Sequence, residues 1–255
     1  MKLFTFIALL LTITIQAQTN IWYDITYKVD IDFGMPAEKK SKLVFNTTEA
    51  YYTEESPMPK SSDNDDRKVT IQGMATRGIE EVFVTDLKNK KFIVKHKINN
   101  VFYWVEDKLF PIEWKIDRKA KATILGYQCF KAMGVFRGRQ YTAWFTEDIP
   151  TKFGPWKLNG LLGLVLEVSD AVGEVSFAVE RIEQLKNLDA KIFNLTDNQS
   201  DYKKVTLQEY VAIQKKNKSE IFRVHIAKLP RNAKVTEIKE NDQNSGYELK
   251  YEWEK

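Results

Sequence analysis

The stretch "IWYDITYKVDIDF", residues 21–33, decides the fold. Every odd-numbered residue in it, from Ile21 to Phe33, is aliphatic or aromatic, and the even-numbered residues are polar except for Trp22. A strand repeats every two residues and a helix about every 3.6, so this alternation fits only a strand with one buried face. The stretch therefore predicts a long, half-buried β-strand.

The same alternation recurs along most of the chain, in segments separated by turn residues. Hairpin turns are predicted at "DLKNKK", at "INN", at "RGR" around Gly138, and between Asp170 and Gly173. One helix is predicted to begin at Thr206, where "TLQE" has the spacing of a capping box. Because a twisted antiparallel sheet of many strands curls, the sequence predicts a mainly β fold: a curved antiparallel sheet or incomplete barrel with one helix.

The chain is expected to consist of an export signal and one domain. Residues 1–17 begin with a basic residue, continue as an apolar run and end on alanine, the order of a cleaved secretory signal peptide. Residues 18–255 are predicted to form a single β-rich domain, with a polar loop near 54–68 and a charged C-terminal segment from about 230. We therefore expect an exported protein that is periplasmic, associated with the outer membrane or secreted, with no transmembrane segment in the mature chain.

The composition argues against several classes of protein. The chain has 39 Lys and Arg residues against 35 Asp and Glu, and they are interspersed, which provides no basic stripe for a nucleic acid. Its one cysteine, Cys129, excludes a disulfide within one molecule. The run "NGLLGLVLEV", residues 159–168, lacks the Lys and Ser or Thr that follow the glycines of a phosphate loop. The sequence therefore predicts no nucleic-acid partner and no cofactor.

Gly160 and Gly163 interrupt this otherwise aliphatic run. Glycine weakens a strand, so bare backbone must serve a purpose at both positions. We interpret Gly160 as part of a tight turn and Gly163 as a place where an aromatic ring lies against the strand, with Trp144 and Trp156 among the nearby rings. Contact between these glycines and a ligand is the alternative.

Three segments of the chain resemble a known family. "GPWKLNGLLGLVLEV", "ILGYQCFKA" and "FRGRQYTAWFTEDIP" are similar to the GLPGLI family of exported proteins, found mainly in Bacteroidota. In the signature hexapeptide, Leu162 replaces the family's proline and Val165 replaces its final isoleucine, while the other four residues agree. The resemblance extends from about residue 125 to 169. It implies export and supplies no catalytic residue.

Few residues suggest catalysis or metal binding. The two histidines, His96 and His225, are far apart and have no carboxylates at ligand spacing, so we expect solvated or edge-strand positions and no metal. Cys129 lies in an apolar strand pattern, which is typical of an inert buried thiol. No G-x-S-x-G elbow occurs. No catalytic residue is predicted, and the sequence favours a protein that is not an enzyme.

Seven residues are candidates for ligand binding. Arg137 and Arg139 flank a turn glycine and are able to clasp a carboxylate or phosphate, with an ordinary polar turn as the alternative. Glu147 is placed to orient a polar ligand, with a solvated strand end as the alternative. The complete set is Trp144, Trp156, Gly160, Gly163, Arg137, Arg139 and Glu147.

Three hypotheses for the function follow. The first is an exported binding protein that holds an apolar or peptide-like ligand on its curved sheet, and it predicts a deep concavity lined by aromatic residues. The second is an accessory or assembly protein that docks on an outer-membrane or secreted partner, and it predicts a filled core with an exposed apolar patch. The third is a hydrolase, which requires a convergent acid, base or nucleophile that the sequence does not show.

Overall fold

The fold is described from a computed structural model of the chain. It describes residues 21–34, 36–55, 58–59, 81–89, 91–98, 100–108, 110–186, 188, 201–227 and 246–254. The predicted signal peptide, much of the polar loop near 54–68 and the first part of the charged segment from about 230 lie outside these residues.

Strands dominate the described residues. They are β1 (Trp22–Asp32), β2 (Pro36–Phe45), β3 (Glu49–Glu54), β4 (Met58–Pro59), β5 (Val82–Asp86), β6 (Lys91–Ile98), β7 (Val101–Asp107), β8 (Lys115–Ile124), β9 (Tyr127–Phe136), β10 (Arg139–Thr146), β11 (Leu164–Asp170), β12 (Val175–Leu185) and β13 (Lys203–Thr206). One helix within this part of the chain, α1 (Leu207–Ala227), follows β13 directly. Among the described residues, no helix has the length and apolar character needed to cross a membrane.

All of these strands belong to one sheet. Its order is β13-β7-β6-β5-β3-β2-β1-β12-β11-β10-β9-β8, and the short β4 pairs with β2. Every pair is antiparallel except β13 with β7. Because β13 and β8 are edges that do not pair with each other, the sheet is open over the described strands. The predicted fold class, a mainly β protein with a curved antiparallel sheet and one helix, is confirmed.

The predicted turns join neighbouring strands. The "RGR" turn links β9 to β10, and both Arg137 (φ 42°) and Gly138 (φ 86°) adopt the left-handed conformation that its tight geometry requires. Gly173 has φ 77° in the turn between β11 and β12. The capping box is also present: Thr206 donates from its backbone N–H to Glu209 Oε2 at 2.8 Å, and its Oγ1 accepts from the Glu209 N–H at 3.3 Å.

The main core lies on one face of the sheet, which we call the inner face, and a smaller buried cluster of Trp22, Val44 and Tyr51 lies on the opposite face. Residues 147–163, the inner loop, cross this face and contact both halves of the sheet. Phe153 packs 5.9 Å from Phe45 of β2, and Trp156 packs 5.6 Å from Phe136 of β9, both between ring centroids. Helix α1 adds Leu207, Tyr210 and Val211 to the same cluster. The inner face is therefore filled by the chain's own side chains.

Candidate functional site

The glycine motif lies in the inner loop, where another part of the chain occupies the space that a side chain would need. A Cβ on Gly163 would stand 2.1 Å from the carbonyl oxygen of Thr146 and 3.0 Å from Cδ2 of Phe145. Gly160 has φ 103°, in a region that residues with a side chain rarely adopt. Backbone shape accounts for Gly160, and the close approach of β10 accounts for Gly163. Their role as ligand contacts stays a prediction.

Trp156 of the inner loop, another predicted ligand contact, is buried. Only 4% of its surface is exposed, and its ring lies 5.0 Å from the ring of Tyr247. Trp114 also holds this loop, because its Nε1–H donates to the carbonyl oxygen of Asn159 at 3.0 Å. The aromatic rings around the loop therefore hold its conformation.

Residues 246–254, which we call the strap segment, pack against the turn between β9 and β10. The backbone N–H groups of Leu249 and Lys250 donate to the carbonyl oxygen of Arg137 at 2.9 and 3.0 Å. The hydroxyl of Tyr141 donates to the carbonyl oxygen of Tyr247 at 3.4 Å. The two predicted arginines thus lie where the strap segment meets the sheet.

Arg137 is the centre of a buried ion-pair network. Its guanidinium makes two hydrogen bonds to Asp107, at 2.7 and 2.9 Å, and also binds Glu248 and Glu252 of the strap segment. Lys157 of the inner loop donates to the same Asp107 at 2.9 Å and to Glu248 at 2.8 Å. Burial opposes ionisation of Asp107, but the adjacent guanidinium and ammonium groups outweigh it and hold the pKa of this carboxyl below its ordinary value.

Arg139 forms a second buried network one residue after the turn glycine. It donates to Asp170 at 2.5 Å, to Glu174 at 2.6 Å, and to the carbonyl oxygen of Gly246 at 2.6 and 2.9 Å. Both arginines therefore clasp carboxylates, as the sequence suggested they are able to, but these carboxylates belong to the chain itself. Their binding of an external ligand stays a prediction.

The remaining two predicted residues lie elsewhere. Trp144 is half-buried on the opposite face of the sheet, the outer face, where it pairs with Lys131 of β9 and Glu167 of β11. Glu147 is exposed and accepts hydrogen bonds of 2.7 and 3.1 Å from Arg118 of β8. The structure therefore brings Arg137, Arg139 and Trp156 together around the strap segment and places Trp144 and Glu147 outside that group.

His96 corrects the expectation of a solvated or edge-strand histidine. It is 4% exposed in β6, an internal strand, and its Nδ1 lies 2.5 Å from Oε1 of Glu81. Burial opposes ionisation of Glu81, but His96 outweighs it and holds the pKa of that carboxyl below its ordinary value. The signal was in the sequence, since His96 shares its parity with Phe92, Val94 and Ile98, which all point inward.

The remaining candidates for catalysis or metal binding are Cys129 and His225. Cys129 has no exposed surface, and burial raises the pKa of its thiol to about 11. His225 falls within α1, but its side chain lies outside the described residues. In the described part of the chain, no group of three or more His, Cys, Asp or Glu side chains is arranged to hold a metal ion.

A polar groove crosses the outer face, and the sequence did not predict it. This outer groove has a volume of about 540 Å³ and crosses the adjacent strands β12, β1, β2 and β3. It lies where the pairing of β1 with β12 shifts at a bulge between Thr26 and Tyr27. Its lining residues are Thr26, Lys40, Ser41, Lys42, Thr53, Glu55, Glu180 and Arg181.

Each cation of the outer groove is paired with a carboxylate. Lys40 lies 3.6 Å from Glu180, and Lys42 lies 3.1 Å from Asp24. Arg181 likewise lies 3.2 Å from a carboxylate oxygen of Glu183. Pairing leaves the groove rich in hydrogen-bonding groups without a large excess of either charge. Such a lining suits a neutral, polar ligand better than an anion or an apolar molecule.

Comparisons with known proteins identify a family and a fold. The family model described as "N-glycanase peptide, N-terminal domain" matches residues 71–211. The solved "Structure of PNGF-II in C2 space group" is 21% identical with a TM-score of 0.56, over 79% of this chain and 33% of that chain. The same protein in the P21 space group is 21% identical with a TM-score of 0.55, over 77% of this chain and 34% of that one.

The matches cover only part of each solved chain. The chain spans about a third of the length of these solved chains, and at this identity the likeness shows the fold alone. No curated protein sequence matches the chain. The matching family differs from the GLPGLI family, whose resemblance on residues 125–169 stays a prediction.

Proposed function

Because the chain belongs to the N-glycanase peptide N-terminal domain family, we propose that it is a binding module for glycoproteins that carry N-linked glycans, with no reaction of its own. The signal-like order of residues 1–17 supports export, which would bring the module to glycoproteins outside the cytoplasm.

The single observation that carries this proposal is the outer groove. A neutral glycan presents many hydroxyl groups, each of which donates and accepts hydrogen bonds. Lys42, Thr53 and Glu180 line the groove with ammonium, hydroxyl and carboxylate groups that complement such a surface. A hydrogen bond to a charged group contributes about 1.5–3 kcal/mol, so a few of them support measurable affinity. The β12 wall of the groove lies within the matched family region, and the other walls precede it.

The filled inner face is the reason to place the ligand on the outer face. An apolar ligand on the curved sheet requires a hollow, but Phe153, Trp156 and Tyr247 occupy that space in the described structure. A general acid or base must come within hydrogen-bond reach of its substrate. The side chain of His96 is 4% exposed and closed to a substrate, whereas that of Glu81 is 28% exposed, so release of free glycan in the test below decides whether this pair catalyses hydrolysis.

The test is calorimetric titration with an N-glycopeptide and with the same peptide lacking its glycan. We expect saturable binding of the glycopeptide that weakens by at least about tenfold, or 1.4 kcal/mol, when the glycan is absent. Thr53→Arg fills the outer groove and should weaken binding similarly. Thr142→Arg is the matched control, since Thr142 lies on the outer face of β10 away from the groove. Equal affinity for both peptides would refute the proposal, and release of free glycan would show a hydrolase.

A second candidate function, docking on a partner protein, is favoured by an apolar patch. Val135 is 65% exposed and Met133 is 38% exposed on the outer face of β9, near the half-buried Trp144. A filled core with an exposed apolar patch is what the accessory-protein hypothesis predicts. The partner would be a neighbouring domain of a longer protein, an outer-membrane protein or a secreted one. Val135→Asp should abolish stoichiometric recovery of that partner, whereas Val172→Asp, at a 73% exposed turn position, should not.

A further inference from the structure

The strap segment packs against the core on the inner face without joining the sheet. None of the described strand pairs includes it, so the sheet keeps its own hydrogen-bond ladder without the segment. Residues 228–245 separate it in sequence from α1. Its sequence, "GYELKYEWE", carries three glutamates and one lysine.

Tyr247 is the aromatic anchor of the strap segment. Its ring lies 5.0 Å from Trp156, 5.7 Å from Phe33 and 5.9 Å from Phe177, all between centroids. Its hydroxyl donates to Oε1 of Glu54 at 3.1 Å. A tyrosine that fills an aromatic slot and hydrogen-bonds at its far end is typical of a residue that dominates binding energy.

Two glutamates of the strap segment form ion pairs with cations of the inner face. Glu248 accepts hydrogen bonds from Lys157 and Arg137, and Glu252 accepts one from Arg137 Nε at 2.9 Å. Without the strap segment, these two buried cations would share only Asp107 among the carboxylates described around them. Two cations against one carboxylate leave a positive charge, which an acidic peptide neutralises.

The site also recognises peptide backbone. The carbonyl oxygen of Arg137 accepts two N–H groups from the strap segment, and Arg139 donates to the carbonyl oxygen of Gly246. These hydrogen bonds do not depend on the identity of the bound side chains. Specificity therefore rests on the aromatic slot and on the paired cations, and the backbone contacts fix the orientation of the bound segment.

We infer that this surface, formed around Arg137, Arg139, Lys157 and Trp156, is a binding site for acidic, aromatic peptides. The strap segment is its resident occupant, and a second peptide with the pattern Tyr-Glu-x-x-Tyr-Glu competes with it for the same contacts. This site is distinct from the outer groove, which lies on the other face of the sheet.

The experiment uses the full chain with a protease recognition sequence built into residues 232–238. After cleavage, native mass spectrometry reports whether the strap fragment stays bound. A fluorescent peptide with the sequence of residues 244–255 is then titrated, and its anisotropy is measured with cut and uncut protein. Uncut protein should bind it far more weakly, because the tethered strap segment acts at a high effective concentration.

Variant peptides separate recognition from unspecific association. A peptide with Glu248→Gln and Glu252→Gln should bind cut protein at least about tenfold more weakly, because both charge-assisted contacts to Arg137 are lost. Glu254→Gln is the matched control and should bind within about twofold. Its only described ion pair is a 3.8 Å contact with the exposed Lys215, and glutamine keeps an oxygen that accepts the Tyr251 N–H as Glu254 does at 2.9 Å. The inference is overturned if the labelled peptide fails to bind cut protein or if the double variant binds equally well. It is also overturned if cleavage unfolds the sheet, because the strap segment would then be an inseparable part of the core.

Discussion

Gly163→Ala should be among the most destabilising small substitutions in the chain. The new Cβ would start 2.1 Å from the Thr146 carbonyl oxygen, whereas real Cβ contacts are essentially never below 3.0 Å. The two backbones must therefore separate by about 0.9 Å, the difference between those distances. The clashing oxygen belongs to the backbone, so no side-chain rotation relieves the overlap. The pairing of Thr146 with Leu164 in the ladder of β10 and β11 also restrains this backbone. Overpacking lowers the free energy of unfolding by about 1–3 kcal/mol. Because this substitution requires a backbone shift, we expect a loss near the upper end, about 3 kcal/mol.

Gly173→Ala supplies the control for conformational strain. Its Cβ would have nothing within 4 Å, but its φ of 77° lies in the left-handed region. That conformation costs a residue with a side chain about 1–2 kcal/mol. Gly163 does not share this φ, so the pair separates steric overlap from backbone strain.

The assay is equilibrium unfolding in urea, followed by intrinsic tryptophan fluorescence and fitted for the free energy of unfolding and the m-value. We expect Gly163→Ala to lower the free energy of unfolding more than Gly173→Ala, with unchanged m-values. A Gly163→Ala protein within about 0.5 kcal/mol of the wild type would refute the close-packing account and favour direct ligand contact at this glycine.

Three further predictions follow. Asp107→Asn should lower stability by about 1.5–3 kcal/mol at pH 7, because it removes the carboxylate that Arg137 and Lys157 share and leaves them only the glutamates of the strap segment. The folded-state pKa of Asp107 is depressed, so its contribution is present above its unfolded pKa of about 3.9 and is lost as the pH falls through the folded pKa. The difference from wild type in urea should therefore shrink at pH 3. Cys129 should resist thiol reagents until urea unfolds the chain, and Cys129→Ser should leave glycopeptide binding unchanged in calorimetry. Mass spectrometry of the protein secreted by its native host should find an N-terminus near Gln18, and a retained Met1 would contradict export.

The sequence predicts the local structure well because strand alternation, turn glycines and caps are local signals. The thirteen-residue alternation at 21–33 became β1, and the "TLQE" box caps α1. The same alternation indicates an inner-face position for His96, with Phe92, Val94 and Ile98, in place of the solvated position expected for a histidine. The partner of His96, Glu81, lies outside that strand, so the pairing itself required the fold.

The sites were harder to predict because they join segments distant in sequence. The outer groove needs β12 beside β1, a pairing of Thr26 with Arg181 that no local pattern encodes. The pairing of Arg137 with Glu252 likewise spans 115 residues. From residue type alone, the two arginines of the turn, Arg137 and Arg139, indicate a site for an anion. Only the fold shows that carboxylates of the chain already pair with both guanidinium groups.

The most direct test of the proposed function is to locate the bound glycopeptide by amide chemical-shift perturbation in NMR spectra of the isotope-labelled protein. Binding in the outer groove should change the amide chemical shifts of Thr26, Lys42, Thr53 and Glu180 in a saturable way. The amide chemical shift of Trp156, on the inner face, should not change. Saturable shifts confined to the inner face, or none at any glycopeptide concentration, would contradict the account.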